Sequence, residues 1–254
     1  MNHLDENITI LYKYLDANGG LEMLKHHNLQ FTHVSQLNDP FDCHPSLIDY
    51  SNATNIEAKV WGKKLVEEVE VNQARERRND TWVCSLSKIH NNLLMWSYYN
   101  GHKGMCIGLN RENTKTCLSN ITQTIYIGAL EMEVQYKEII EKPDYFQDHI
   151  DDLRYQLSTK AKDWAHEKEV RFLLINPWPS SVPNHPALVD MQGPHAFHVI
   201  KRDCFESLYL GLKIDKKKRN EVIKIAKKCN PNIKIYQMTI DPNAFRLKEY
   251  LIEQ

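Results

Sequence analysis

The sequence has few of the features that mark the common enzyme classes. It contains only nine glycines in 254 residues, and these form neither a Walker phosphate loop nor a Gly-x-Gly-x-x-Gly turn. It also lacks a Gly-x-Ser-x-Gly elbow and a His-Glu-x-x-His helix. Any activity must therefore come from a less familiar arrangement of side chains.

Long apolar segments and an excess of one charge are missing as well. No apolar run approaches the length of a membrane span, and the N-terminus lacks a basic start followed by an apolar segment. We therefore expect no signal peptide and no membrane partner. The 32 basic and 33 acidic residues leave a formal net charge of −1, which provides no overall field that attracts nucleic acid.

The six cysteines are scattered and include no Cys-x-x-Cys pair. Four of them lie in apolar, strand-like segments, which favours reduced thiols inside a core over a disulfide framework or a zinc site. His195 and His198 are three residues apart on a strand-like segment, so they do not share a face and are not expected to bind metal. These patterns predict a cytoplasmic protein without a metal site.

Short β-rich segments alternate with helical segments along the whole chain. The predicted strands are 8–14, 29–34, 81–86, 105–109, 121–130, 131–136, 170–175, 208–212 and 233–240. The last two flank a basic helix that begins after Asp215, which predicts one parallel strand–helix–strand unit. We predict a mixed α+β fold with a split, mostly antiparallel central sheet and flanking helices. It forms a single domain, 1–254, with a helical insertion at about 50–80.

The most informative stretch is residues 162–175, K-D-W-A-H-E-K-E-V-R-F-L-L-I. Apolar residues at steps of three and four predict a helix that leads into it. They are Phe146, Ile150, Leu153, Leu157, Ala161 and Trp164. If a strand begins near Glu167, alternation puts Glu167, Glu169 and Arg171 on one face. The other face, with Val170, Phe172 and Leu174, then fills the core. Such a charged group must face water or a ligand.

Five short motifs occur in the order found in a known bacterial family. They are L-Y-K-Y (11–14), N-D-P-F-D (38–42), V-C-S-L-S (83–87), M-W-S-Y-Y-N-G-H-K-G (95–104) and W-A-H-E-K-E-V-R-F (164–172). Over nearly its whole length the chain resembles the family catalogued as domain of unknown function 2971, which includes the abortive-infection protein AbiGi. The resemblance implies a role in phage defence or as a toxin-like effector, and the family name records no activity.

A second, more distant resemblance concerns the opening strand, turn, helix and strand followed by Asn-Asp. This unit is similar to the start of ADP-ribosyltransferase domains, in which a first strand carries His, Arg or Tyr, a second Ser or Thr, and a later strand Glu. The matching residues here are Tyr12, Tyr14, Ser85, Ser87, Glu167 and Glu169. The first strand departs from the pattern, because it reads Tyr-Lys-Tyr where His-Gly or Arg-Gly is commoner.

This resemblance implies an ADP-ribosyltransferase-like fold and an enzyme that uses NAD as its substrate. The acceptor would be a macromolecule, either protein or nucleic acid. Glu169 would hold a ribose hydroxyl and stabilise an oxocarbenium-like transition state, and Glu167 would orient or deprotonate the acceptor. The expected NAD-binding residues are Tyr12 and Tyr14 on the first strand, Ser85 and Ser87 for the ribose, Trp96, Tyr98 and Tyr99 for a ring, Arg171, His102 and Lys103 for the pyrophosphate, and Asn38 and Asp39 in a ligand loop.

Each of these residues also has a purely structural interpretation. Glu167 and Glu169 can serve as ion-pair partners of Arg171 and Lys168 alone. The aromatic cluster after residue 95 is typical of a buried helix face, and the Asn-Asp-Pro turn can hydrogen-bond only to itself.

Two other functions stay open from the sequence. The first is a metal-dependent nuclease of a defence system, whose activity EDTA would abolish. The second is a non-catalytic module that binds a nucleotide or a protein, in which case no product accumulates. A phosphate-removing relative of the transferases, acting on RNA ends, is a variant of the main hypothesis. The oligomeric state has no signature in the sequence.

Overall fold

Thirteen strands and five α-helices make up the regular structure of the residues that the computed structural model describes. Those residues are 7–49, 51, 62, 81–119, 127–146, 148, 151–175, 189–192 and 194–253. The strands are β1 (Ile10–Leu15), β2 (Asn28–His33), β3 (Thr81–Ser87), β4 (Met105–Asn110), β5 (Ile127–Glu133), β6 (Gln135–Lys137), β7 (Thr159–Ala161), β8 (Glu169–Ile175), β9 (Val189–Gln192), β10 (His195–Val199), β11 (Phe205–Leu210), β12 (Lys234–Ile240) and β13 (Leu247–Glu253). The helices are α1 (Ala17–His26), α2 (Leu93–Asn100), α3 (Arg111–Ser119), α4 (Asp152–Ser158) and α5 (Lys216–Cys229). The predicted insertion at about 50–80 lies outside the described residues, apart from positions 51 and 62.

Eleven of the described strands form one large sheet. Nine run in the order β13-β12-β11-β4-β1-β3-β2-β10-β9, while β8 branches from β3 and β5 pairs with β8. The described pairings in this sheet are antiparallel except for β11 with β12, which are parallel and joined through α5. Strands β6 and β7 form a separate parallel pair. The prediction of a mixed α+β fold with a mostly antiparallel sheet is confirmed, and so is the parallel unit near the C-terminus.

The sheet forks at β3. One edge of β3 pairs with β8 along its length, and Ser87 lies opposite Glu169 in that pairing. The other edge is shared, because Ser87 also lies opposite Tyr12 of β1, whereas Val83 lies opposite Thr32 of β2. Tyr12, Ser87 and Glu169 therefore form one row across three strands. Beyond that row β1 separates from β3, which leaves an opening in the sheet.

Alternation along β8 gives it two chemically different faces. Val170, Phe172 and Leu174 join the main apolar cluster, which also takes in buried residues of α1, α3 and α5. Glu169 and Arg171 lie on the opposite face and hydrogen-bond to each other. The predicted alternation of this strand is confirmed.

The predicted continuous helix before β8 is wrong. Helix α4 ends at Ser158, and the chain continues as β7 and then as a 3₁₀ turn over Lys162–Glu167. Backbone pairing of β7 with β6 supplies hydrogen bonds that a longer helix would otherwise make. Lys168 follows with a φ of 47°. Glu167 therefore belongs to the turn, while Glu169 begins the strand.

The cysteines lie where core thiols are expected. All six are free and buried, and burial raises the pKa of the Cys43 and Cys106 thiols. The prediction of buried, unpaired thiols is confirmed. Among the helices in the described part of the chain, none has the length and apolar character needed to cross a bilayer.

Gly104 fills a position that tolerates no side chain. It follows the end of α2, where Gly101 adopts a φ of 57° and its N–H donates to Ser97 O at 3.2 Å. A Cβ atom on Gly104 would lie 2.1 Å from the backbone oxygen of Leu15. Because that oxygen belongs to β1, it cannot move aside without disturbing the sheet.

We expect Gly104→Ala to lower the free energy of unfolding by about 1–3 kcal/mol, the usual range for overpacking. Urea denaturation measures this directly. Gly19→Ala is the control. Gly19 lies in helix α1, and its added Cβ would come no closer than 3.7 Å to the nearest neighbour, the Asp16 side chain. It should be neutral or slightly stabilising. Equal effects of the two substitutions would contradict the prediction.

Candidate active site

A cavity of about 480 Å³ opens at the fork of the sheet. Its wall is formed by β1, β2, the turn after β2, β3, α2, β7, the 3₁₀ turn and the start of β8. The predicted site residues on this wall are Tyr12, Tyr14, Asn38, Ser85, Ser87, Tyr98, Tyr99, Glu167 and Glu169. The structure thus brings together the three strand segments that the transferase resemblance singled out, and the two carboxylates border the same cavity as the two tyrosines of β1.

Other predicted residues lie away from this wall. Trp96 is fully buried and donates its indole N–H to His90 O at 2.8 Å. His102 contacts the Ser97 hydroxyl at 2.9 Å in the turn that follows α2, and Lys103 comes next in the same turn. These three residues are absent from the cavity wall within the described residues.

The Asn-Asp-Pro turn contains one residue that fits the structural interpretation and one that fits the predicted ligand loop. Asp39 accepts a hydrogen bond from Phe41 N at 2.9 Å and so shapes its own turn. Asn38 lines the cavity instead, and lies close enough to Tyr99 to affect its hydroxyl. The last acid of the motif, Asp42, is 2% exposed and points into a buried charged network.

Arg171 is the centre of that network. Its guanidinium makes a two-pronged contact with Asp42, at 2.8 Å and 2.6 Å, and a second with Glu169, at 2.8 Å and 3.1 Å. It also donates to Leu157 O at 2.9 Å. The side chain is completely buried and lies behind the cavity wall, where it holds Glu169 in place.

Lys160 completes the network from the cavity side. Its ammonium lies 3.1 Å from Glu169, 2.5 Å from Glu167 and 3.7 Å from Asp42. Burial by itself lowers the pKa of Lys160, but the surrounding carboxylates outweigh that effect and raise it. The lysine therefore stays charged and bridges the three acids.

Sequence reasoning missed Lys160. The predicted helix includes this residue, and a lysine in a helix usually indicates a side chain that faces solvent. The change from helix to strand at Thr159 turns its side chain inward, and the β-branched Thr159 was the one local signal of that change.

Glu167 is held from three directions. Lys160 and the Tyr99 hydroxyl each donate to its carboxylate. The Ser87 hydroxyl donates to its backbone oxygen at 2.6 Å. This last contact ties the 3₁₀ turn to β3, so that Glu167 reaches the cavity although it lies outside the strand. Burial and the neighbouring Glu167 both raise the pKa of Tyr99, which keeps its hydroxyl protonated as a donor.

The pKa values of the two glutamates are displaced in opposite directions. Burial raises the pKa of Glu167, and the nearby charge of Glu169 adds to this effect against the opposing pull of Lys160. Burial also disfavours ionised Glu169, yet Arg171 and Lys160 outweigh it and hold the pKa of Glu169 well below its usual range. Glu169 is therefore ionised at neutral pH, whereas Glu167 takes up a proton more readily. Paired carboxylates with separated pKa values are a common basis for acid–base roles.

The converging carboxylates surround an ammonium group. Across the described residues, no group of three or more His, Cys, Asp and Glu side chains has an arrangement that could hold a metal ion. The point where Asp42, Glu167 and Glu169 approach one another is occupied by Lys160 Nζ. The charge that these acids require is thus supplied by the chain itself.

Comparison with known families identifies part of the chain. Residues 95–172 match the family model described as Protein of unknown function (DUF2971). Neither the curated proteins nor the solved structures contain a match to the chain. The DUF2971 match begins at Met95 of α2 and ends at Phe172 of β8, so it includes Tyr99, Lys160 and both glutamates of the candidate site.

The DUF2971 match covers the part of the cavity wall that carries Lys160, Glu167 and Glu169. Another part, with Tyr12 and Tyr14 on β1 and the serines of β3, lies before the matched residues. The description of DUF2971 names no activity, so the chemistry has to be inferred from the residues themselves.

Proposed function

We propose that the cavity binds NAD and that the protein transfers ADP-ribose from it to an acceptor macromolecule. The observation that carries this proposal is the pair of glutamates with oppositely displaced pKa values on the wall of a tyrosine-lined cavity. Its volume, about 480 Å³, lies within the range of small-molecule and cofactor sites. The row of Tyr12, Ser87 and Glu169 across β1, β3 and β8 adds geometric support.

In the proposed reaction, the bond between nicotinamide and C1′ of the ribose breaks and its electron pair leaves with nicotinamide. Positive charge then develops on the ribose, as in glycoside cleavage. Glu169, ionised throughout, stabilises that charge and accepts a hydrogen bond from a ribose hydroxyl. An acceptor nucleophile attacks C1′ and passes its proton to Glu167, whose raised pKa suits a proton acceptor.

The remaining wall supplies binding contacts for the same ligand. Tyr98 and Tyr99 are 69% and 39% exposed, so their rings are accessible for stacking on nicotinamide or adenine. Ser85 lies beside Glu169 and its hydroxyl helps to lower the pKa of that carboxylate. A hydroxyl in this position also suits hydrogen bonding to the ribose.

The direct test is incubation of the purified protein with NAD labelled in the nicotinamide ring, with candidate protein and nucleic-acid acceptors. We expect time-dependent release of free nicotinamide that EDTA does not affect, and ADP-ribose attached to an acceptor. Nucleic-acid cleavage that EDTA abolishes, with no nicotinamide released, would replace this proposal with a metal-dependent nuclease. Thermal stabilisation by NAD without any product would indicate a binding module.

We further propose that the transfer serves phage defence or a toxin-like effector role, as the motif resemblance to abortive-infection proteins predicts. Expression in a bacterial host tests this step separately. Growth arrest that requires Glu169 is the expected result. Normal growth, both with and without phage infection, would remove the defence role while leaving the chemistry intact.

The Tyr99 hydroxyl provides a pH test of the role of Glu167. Its hydrogen bond favours the ionised carboxylate, so it lowers the pKa of Glu167. In Tyr99→Phe that pKa should rise further. A hydrogen bond to a charged group contributes about 1.5–3 kcal/mol, equivalent to about one pKa unit or more. We expect the acidic limb of the pH–rate profile for nicotinamide release to move to higher pH by that amount.

Tyr250→Phe is the matched control, because this tyrosine is 52% exposed on β13 and lies away from the cavity wall. Its pH profile should coincide with that of the wild type. An unchanged acidic limb in Tyr99→Phe, with transfer still active, would show that Glu167 does not accept the acceptor's proton.

A further inference from the structure

Lys13 lies at the opening where the sheet forks. It follows Tyr12, the last residue of β1 that pairs with β3, and its ammonium donates to Ser85 O at 2.9 Å across the gap. Leu11 of the same strand belongs to the main core on one face of the sheet, while Tyr12 and Tyr14 pack on the other. By alternation Lys13 starts from the core face and reaches through the opening to the candidate cavity.

Two cavities meet at this lysine. The candidate cavity lies on one face, and a second cavity of about 490 Å³ lies beneath α1 on the other. Of the residues that the structure describes, Lys13 is the one that lines both cavities. Its ammonium therefore stands between the two spaces, with three N–H donors of which one is used by Ser85 O.

The charge on the candidate cavity wall gives Lys13 a distinct role. Among the described residues, the other charged ones on this wall are Lys160 and three carboxylates, Asp42, Glu167 and Glu169. Lys160 lies within 3.7 Å of all three acids and is fully used by them. Lys13, by contrast, takes part in no ion pair within the described residues. In the described part of this wall, the ammonium of Lys13 is the cation available to an anionic ligand that enters beside these acids.

We propose that Lys13 is the anion anchor of the cavity and binds the phosphate groups of a nucleotide. The ligand class is then a phosphorylated nucleotide and not a free nucleoside or base. Identifying the anion with the pyrophosphate of NAD rests on the proposed function, whereas anion binding itself does not. An ammonium is a well-suited partner for phosphate because it donates charge-assisted hydrogen bonds without needing a fixed plane.

The position of Lys13 explains why the cavity would favour a ligand that carries phosphate. A phosphate close to three carboxylates is repelled unless a cation offsets it. The anchor lies on β1 and the acids lie toward β8, so the phosphate is held at Lys13 while the ribose carbon approaches Glu169. Placing a nucleotide the other way round would set its charge against the carboxylates.

The test uses calorimetric titration of the full chain with ADP, adenosine and inorganic pyrophosphate as probes. Lys13→Gln removes the charge but keeps a side-chain N–H for the Ser85 carbonyl, and Lys13→Arg restores the charge. Lys234→Met is the control, since Lys234 is an exposed lysine on β12. We expect Lys13→Gln to weaken ADP and pyrophosphate binding by at least about tenfold with adenosine unchanged. Lys13→Arg should recover part of that loss, and Lys234→Met should match the wild type.

Three results would overturn the inference: no ADP binding by the wild type, equal ADP affinity in Lys13→Gln, or an equal loss for adenosine. If Lys13→Gln does not fold, the wild type still decides the matter. Its ADP affinity must fall with rising salt while its adenosine affinity does not. Absence of nicotinamide release by the wild type refutes the proposed function but not a Lys13-dependent ADP site. Unchanged NAD turnover in Lys13→Gln refutes the identification of the bound anion with the pyrophosphate of NAD but not the proposed function.

Discussion

Glu169→Gln is expected to reduce nicotinamide release by about 10²–10³-fold or more, the usual effect of removing a preorganised charge from a transition state. Glutamine has the same shape but carries no charge to stabilise the developing cation on the ribose. The fold should persist, because Arg171 keeps its two-pronged contact with Asp42 and Lys160 keeps Glu167. Nicotinamide release and thermal unfolding, measured on the same preparation, separate the two effects.

Glu131→Gln is the matched control for this substitution. Glu131 is also a buried carboxylate paired with an arginine, since it accepts from Arg111 at 2.6 Å. It lies on β5, away from the cavity wall. We expect a comparable loss of stability and full transfer activity. If Glu169→Gln retained wild-type turnover, the proposed transferase mechanism would have to be abandoned.

The parts of the site that could be predicted are those set by local periodicity. A strand alternates its side chains, so Glu169 and Arg171 were expected on one face and Val170 and Phe172 in the core. That pattern holds wherever the strand lies in the fold. The transferase resemblance also pointed to β1, β3 and β8, and these strands are neighbours in the sheet.

The partners within the charged network could not be predicted in the same way. Asp42 and Arg171 are 129 residues apart, and their contact depends on how the turn after β2 packs against β8. Lys160 points inward only because β7 pairs with β6 and interrupts the expected helix. Both facts arise from tertiary packing, which the apolar spacing of residues 146–164 does not encode.

The aromatic residues illustrate the same limit within a single helix. The sequence predicts that Trp96 and Tyr99 both contact a ring of NAD. The two residues are about one helical turn apart in α2, and their surroundings differ. Trp96 faces the second apolar cluster with Tyr14 and Met238, whereas Tyr99 faces the cavity. Because the helix is apolar on nearly every side, its sequence does not reveal which face meets the sheet.

Arg171→Met should produce the largest loss of stability among single substitutions in the network, about 3–5 kcal/mol at neutral pH. It leaves Asp42 and Glu169 buried without the guanidinium that neutralises them, and an uncompensated buried charge has a cost of that size. Arg171→Lys should recover only part of the loss, because an ammonium cannot reproduce the paired contacts to both carboxylates. Urea unfolding of the three proteins measures these differences.

The effect of pH on this loss follows from the sign of the pKa change at Glu169. In the wild type its pKa is lowered by folding, so its contribution to stability is fully present above the unfolded pKa of about 4.3 and is lost as the pH falls through the folded value. Without Arg171, Lys160 and the Ser85 hydroxyl still oppose the effect of burial, but we expect the folded pKa of Glu169 to rise above the unfolded one. The variant then gains stability as the pH falls through that raised value. The difference between wild type and variant should therefore shrink between pH 7 and pH 5.

Arg111→Met is the control for the effect of Arg171→Met on ligand binding. Arg111 is another buried arginine, and it donates to Glu131 on β5 at a distance from the cavity. Its loss should destabilise the fold, but NAD or ADP binding by the protein that remains folded should be unchanged. In Arg171→Met the same ligands should bind more weakly, because Glu169 is no longer held on the cavity wall. A stability loss from Arg171→Met that stays constant from pH 7 to pH 5 would contradict the assignment of Arg171 as the group that keeps Glu169 ionised.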